Sequence, residues 1–194
     1  MKTTQILMNE HAIIKTYIRK VMNDLPTFSL ADSHLAQDGF DFFENYADKF
    51  HHSKEENIYF KWMGEKNEML LEQPLGSLCK EHETCRKALQ TAKSALKQQD
   101  LATYNKQITS FCETLYDHIE KEDNVLYQMA EEINDVTDDG DPLMGPQFQA
   151  VLQEFMAVHN KWGNTPIDLE VLKESQVLAM QESAKGHQCC GRCH

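Results

Sequence analysis

A chain of 194 residues suits one compact domain with a sizeable core and is tight for two. Its 31 acidic residues against 19 basic ones leave a net charge of −12, which repels phosphate backbones and anionic membranes, so neither nucleic acid nor a membrane is expected as a partner. The stretch MKTTQILMNEHAIIKTYI lacks the unbroken apolar run and small-residue cleavage site of a signal peptide, and no later segment reaches the roughly 20 apolar residues of a membrane span. A cytoplasmic protein is expected.

Helical periodicity runs through the chain and alternating β-branched runs are missing, which predicts an all-α fold. The first helix, about residues 4 to 24, aligns Leu7, His11, Ile14, Ile18 and Val21 and ends at Leu25-Pro26, because proline disfavours helix in the residue before it. A loop through Pro26, Ser29, Asp32 and Ser33 leads to a second helix over about 38 to 66. Gly64, Pro74 and Gly76 punctuate the next connection. A third helix over about 78 to 98 carries Leu78, His82, Cys85 and Leu89 on one stripe, and Gln98-Gln99-Asp100 breaks the pattern before a fourth, about 101 to 134.

Four amphipathic helices with short connections bury their stripes most economically as an antiparallel up-down four-helix bundle, assigned to residues 1–134. Residues 135–146, DVTDDGDPLMGP, are acidic and rich in turn formers, which predicts a surface linker. Residues 147–186 are expected to form two extra C-terminal helices packed on the bundle, the first through Val151, Phe155 and Val158 and the second over about 166 to 185. Residues 187–194, HQCCGRCH, have no periodicity.

The chain writes one phrase twice. HHSKEENIYF begins at His51 and HIEKEDNVLY at His118, with shared histidine, Lys-Glu, an acidic residue and asparagine at matching places. On a helix, i and i+4 lie on one face, so His51 pairs with Glu55 and His118 with Glu122. The competing pair His52 and Glu56 has Ile119 and Asp123 opposite it in the second copy, so the comparison selects the first register. Ile58 extends the stripe of His51 and Glu55, while Phe111, Leu115, Val125 and Met129 extend that of His118 and Glu122, which directs both pairs inward. His11 and His82 stand on the apolar stripes of the first and third helices.

One histidine on an apolar stripe is usually a satisfied core residue. Four helices each presenting one, two of them with a glutamate a turn on, would leave several ionisable groups in one core with no cation to neutralise them. Mixed imidazole and carboxylate donors suit iron, manganese or zinc, and six side chains are too many for one tetrahedral ion. They fit two ions, with Glu55 and Glu122 each able to bridge and positions left for a small molecule.

The segments NEHAII, HHSKEENIYF, KEHETCRKAL and DHIEKEDNVLY, in this order on successive helices, resemble the hemerythrin-like (HHE cation-binding) family over about residues 4 to 130. The resemblance implies a non-haem, carboxylate-bridged centre of two iron ions with His11, His51, Glu55, His82, His118 and Glu122 at the ligand positions. Oxygen-carrying members typically have a further histidine one turn from that of the third helix, where this chain has Leu78 and Arg86. By analogy with the iron-sulfur-cluster repair branch, His34 in the loop after the first helix is a candidate to fold back as the additional ligand. His52 and Glu56 either support the ligands or are solvated, and solvation is the preferred reading.

The six-residue ligand set motivates a module that binds or senses dioxygen or nitric oxide. The alternatives are a repair-like iron donor or redox enzyme protecting against oxidative or nitrosative stress, and a purely structural bundle without metal. Cys79, Cys85 and Cys112 sit singly in helical sequence and read as reduced thiols. Cys189, Cys190 and Cys193, beside His187 and His194, form a candidate tail thiol or metal site, weighed against a run of terminal thiols with no fixed role.

Overall fold

The computed structural model describes residues 3–137, 150–151 and 153–166, with side chains in the first span described as far as Ile133. Every element among them is helical, and the helices pack as a bundle. Helix α1 spans Thr3–Asp24. A long second rod comprises α2 (Ser33–Phe42), a π-helical segment π1 (Phe43–His52), a second one, π2 (Glu55–Tyr59), and α3 (Phe60–Lys66). Helix α4 spans Leu75–Lys97. A fourth rod joins α5 (Leu101–Lys121), π3 (Glu122–Leu126) and α6 (Tyr127–Thr137). The short α7 (Met156–Trp162) follows.

The second rod begins earlier than its periodicity predicts. Ser29 donates to the Asp32 carboxylate from both its backbone N–H (3.0 Å) and its hydroxyl (2.7 Å), closing a turn from which helix starts at Ser33. Between α4 and α5, Gln99 adopts a left-handed φ of 60° while the N–H groups of Gln99 and Asp100 return to the carbonyls of Leu96 and Ala95. This is the Schellman arrangement that satisfies the last carbonyls of a helix. The Asp100 carboxylate then caps α5 by accepting from the Thr103 N–H at 3.0 Å. The expected break at Gln98-Gln99-Asp100 is therefore present, with a defined hydrogen-bonded geometry.

Two apolar clusters form the core. One collects Ile14, Ile18, Phe40, Phe43, Phe50, Cys85, Leu89, Phe111 and Leu115, the other Leu7, Ile58, Met63, Leu78, Leu126 and Ala130. Along each rod the two sets occupy successive stretches, and the polar residues of interest fall between them: His11 between Leu7 and Ile14, His82 between Leu78 and Cys85. Burying side chains of this size stabilises by about 1.5–3 kcal/mol each, which is what holds a polar stratum away from water. Helix α7 lies against π1, with Trp162 buried edge-on to Phe42 and Tyr46.

Two expectations need correction. Val125, predicted to face inward, is exposed, because the wider π turn of π3 shifts the register and turns Leu126 inward instead. The fourth rod also continues to Thr137, through the first residues expected to be linker. The rest of that linker and the second C-terminal helix lie outside the described residues, as do Cys189, Cys190 and Cys193. No helix among the described residues is long and apolar enough to cross a membrane.

Candidate metal centre

Between the two apolar clusters the structure brings together His11, His51, Glu55, His82, His118 and Glu122, each with no solvent exposure. The imidazoles face the two carboxylates. His11 Nε2 lies 3.7 Å from Glu55 and 3.4 Å from Glu122. His51 Nε2 and His82 Nε2 lie 3.4 and 3.6 Å from opposite oxygens of Glu55, and His118 Nε2 lies 3.2 Å from Glu122. Ligand atoms of His11, His51 and Glu55 form one close group, and those of His52, Glu55, His82 and His118 a second that shares Glu55.

Each imidazole is held from behind. Nδ1 of His51 meets Glu10 of α1 at 2.8 Å, and Nδ1 of His82 meets Glu56 of π2 at 2.6 Å. Nδ1 of His118 meets Glu81 of α4 at 3.0 Å, and Nδ1 of His11 meets Asp123 of π3 at 2.7 Å. Each rod thus supplies one histidine and one carboxylate that orients the histidine of the next, and the fourth closes the ring on the first. A carboxylate on Nδ1 fixes the tautomer and leaves Nε2 as the donor atom.

The orienting carboxylates are held in turn by cations. Lys54 donates to Glu10, Lys15 to Asp123 (3.0 Å), Arg86 to Glu56 (2.8 Å) and Lys121 to Glu81 (2.6 Å). Every one of these cations stands three or four residues after the histidine whose carboxylate it binds, one helical turn away. The repeated phrase therefore encodes more than its His-Glu pair: the shared lysine locks the carboxylate of its own histidine, and the shared acidic residue orients a histidine on another rod.

The electrostatics follow from this packing. Burial pulls the His11 imidazolium down, but Asp123 and Glu122 outweigh it and raise the group to about 10. Burial likewise opposes His118, which Glu122 and Glu81 lift to about 9. Burial would raise Glu55, yet His51, His11 and His82 hold it well below the usual carboxylate range. Burial and the charge on Glu55 push Glu122 up, and His118 and His11 more than reverse both. The raised imidazoles of His11 and His118 thus oppose the charge of the two buried carboxylates.

The donor set fits a metal. Among the described residues, the buried polar atoms without a hydrogen-bond partner include Nε2 of His11, His51 and His52, one Glu55 oxygen and both Glu122 oxygens. An unsatisfied buried polar atom costs about 1–3 kcal/mol, so a cluster of them aimed at one another calls for a cation. His82 Nε2 and His118 Nε2 approach to 2.7 Å, a distance at which two lone pairs repel unless a proton or cation stands between them. Tyr127, stacked on His11, donates its hydroxyl to Glu55 at 2.5 Å.

Three residues sit differently from expectation. His34 is exposed on the first turn of α2, about 25 Å along the rod from His51 at ~1.5 Å per residue, and belongs to neither group. The helix that begins at Ser33 carries it away, so it cannot fold back as a ligand. His52, read as solvated, is 3% exposed and stacks on His82 with ring centroids 3.8 Å apart. Burial and the charge of His82 push its imidazolium down to about 3, which keeps the ring neutral. Glu56 is half-buried and orients His82.

The family model described as Hemerythrin HHE cation binding domain matches residues 2–130. No curated protein and no solved structure matches the chain.

Proposed function

The chain belongs to the hemerythrin HHE cation-binding domain family, and on that premise we propose that the polar stratum is a carboxylate-bridged, non-haem di-iron centre that binds a diatomic molecule such as dioxygen or nitric oxide. The four rods are read as an antiparallel up-down bundle around it. His11, His51, His82 and His118 would hold the ions through Nε2, and Glu55 and Glu122 would supply the carboxylates shared between them. The observation that carries this reading is the convergence of partnerless Nε2 and carboxylate oxygen atoms in a stratum closed to water on both sides.

When bound, iron supplies Lewis acidity and one-electron redox chemistry at positions the protein leaves for a small ligand. The chain's own residues do the rest. Asp123, Glu10, Glu56 and Glu81 fix the imidazole orientations, and Tyr127 holds one oxygen of Glu55. A cavity of about 40 Å³ beside His52 and His82 is lined by Phe43, Ala47, Cys85, Leu89, Phe111 and Leu115. It is large enough for a water-sized guest, and its apolar walls favour a diatomic gas over a charged one. The ion pair of Arg86 with Asp48 lines its polar end, together with Glu44 and Gln90.

Metal analysis and the visible spectrum test the reading together. Protein loaded with ferrous ion under anaerobic conditions is expected to hold two irons per chain and to develop a new visible band in air or with nitric oxide. Absence of iron uptake, or a spectrum that neither gas changes, overturns it. A spectrum unmoved by either gas, combined with restored activity of an inactivated iron-sulfur enzyme, would favour the iron-donor alternative.

A further inference from the structure

The ring of four histidines has an approximate twofold pattern: α1 and the second rod repeat in α4 and the fourth. Glu10-His11 corresponds to Glu81-His82, and the phrase at His51 to the phrase at His118. His52 breaks the pattern, because its counterpart is Ile119 and the counterpart of Asp48 is Leu115. We propose that His52 is a fifth imidazole ligand, so that His52, His82 and His118 serve one ion and His11 and His51 the other. The proposal rests on the di-iron reading above and adds a donor to it.

Four observations carry it. A ring nitrogen of His52 lies within 4.8 Å of ligand atoms of Glu55, His82 and His118. Its Nε2 is buried and without a partner, like those of His11 and His51. Its Nδ1 faces a carboxylate, Asp48, at 3.4 Å, as the other four imidazoles face theirs. That carboxylate is held by Arg86 at 2.8 Å, and the same guanidinium holds Glu56 behind His82, so one cation orients both rings. The rings of His52 and His82 stack with centroids 3.8 Å apart and planes 15° from parallel, so one ring rotates when both Nε2 atoms bind the same ion; a residue that merely filled space against His82 would need none of the last three observations.

The backbone explains how two adjacent residues share one centre. Successive side chains of an α-helix diverge by about 100°, which would send His52 away from the face of His51. Both stand at the end of π1, whose i→i+5 turns are wider and whose neighbours diverge less, and π2 starts at the bridging Glu55. Two π segments on one rod therefore bring His51, His52 and Glu55 to the same interior, although α-helical spacing aligns only two of them.

Cobaltous ion, titrated into metal-free protein and followed by its visible absorption, tests the assignment. Wild type is expected to take two ions. His52→Ala is expected to bind the first as before and the second at least tenfold more weakly, with an altered spectrum that added imidazole restores. An H52A chain that binds both ions with wild-type affinity and spectrum overturns the proposal and leaves the two-metal reading standing. A wild-type chain that takes fewer than two ions overturns that reading and this one with it. Should H52A lose its helical circular dichroism, X-ray absorption of the iron-loaded wild type decides instead: five imidazoles shared by two irons support the assignment and four refute it.

Discussion

At the scale of single residues, each imidazole of the ring is backed by a carboxylate and each carboxylate by a cation, but the cations are not equivalent. Arg86 holds Glu56 and Asp48 from a partly buried position, whereas Lys121 holds Glu81 with its side chain 54% exposed. Solvent screens the second pair, and a planar guanidinium can grip two carboxylates where an ammonium cannot. Arg86→Ala should therefore weaken metal binding about 10–100-fold, with Arg86→Lys only a partial rescue, while Lys121→Ala should change it by less than about 3-fold. Competition with a chelator of known affinity measures both. The thiols make a second residue-level prediction. Burial pushes Cys85 and Cys112 up to about 12, so in native protein neither should react with iodoacetamide at pH 8, while the half-buried Cys79 should react first. Peptide mapping in a chain whose tail cysteines are replaced by serine reads this out. Six of the central residues were legible because His-Glu spacing and apolar stripes mark an inward face. The orienting carboxylates were not, since Glu10, Glu81 and Asp123 look solvent-facing until a neighbouring rod supplies the histidine that uses them. His52 was discarded because the comparison with Ile119 assumes two symmetric copies, and the molecule departs from symmetry at that position.

At the scale of elements, helix positions followed from periodicity, whereas the three π segments left no local signature. A π turn is set by what the widened helix must present to its neighbours, here the buried His51, His52, Glu55 and Glu122, and not by the propensity of the residues in it. The turn between α4 and α5 is the opposite case, fully local and testable without metal. Gln99 pays a steric penalty for its left-handed φ that glycine would avoid, at some loss of unfolded-chain entropy. Gln99→Gly should therefore stabilise by about 0.5–1 kcal/mol, seen as a rise of about 1–4 °C in melting temperature. Next to it, hydrogen bonds from Thr103 hold the Asp100 carboxylate below its ordinary value. A carboxyl group depressed in the folded state contributes stability above its unfolded pKa of about 3.9, and loses it as pH falls through the folded value. Asp100→Ala should thus lower the urea midpoint at pH 7, with the gap to wild type shrinking below about pH 4.

At the scale of the whole molecule, two apolar clusters enclose a stratum in which five imidazoles and the carboxylates of Glu55 and Glu122 are buried. Protons compensate the charge imperfectly, because they leave several donor atoms without partners, whereas a cation between those atoms would satisfy them together. Metal should consequently bind the folded chain and not the unfolded one. At a free concentration 100 times the dissociation constant, that linkage stabilises by about 2.7 kcal/mol, or about 5–11 °C in a chain of this size. The test of its origin is a second, remote perturbation. Trp162 anchors α7 against Phe42 and Tyr46, neither of which belongs to the close groups of candidate ligand atoms, so Trp162→Ala should cost about 3 kcal/mol in the metal-free and metal-loaded forms alike. Substitutions without shared partners add, so the increment in melting temperature on adding ferrous ion should be nearly the same in wild type and W162A. If the increment instead disappears in W162A, the two ends of the bundle are coupled and the stratum is not an independent unit. If it is absent from wild type as well, the buried histidines are satisfied without metal, and the purely structural bundle is the correct account.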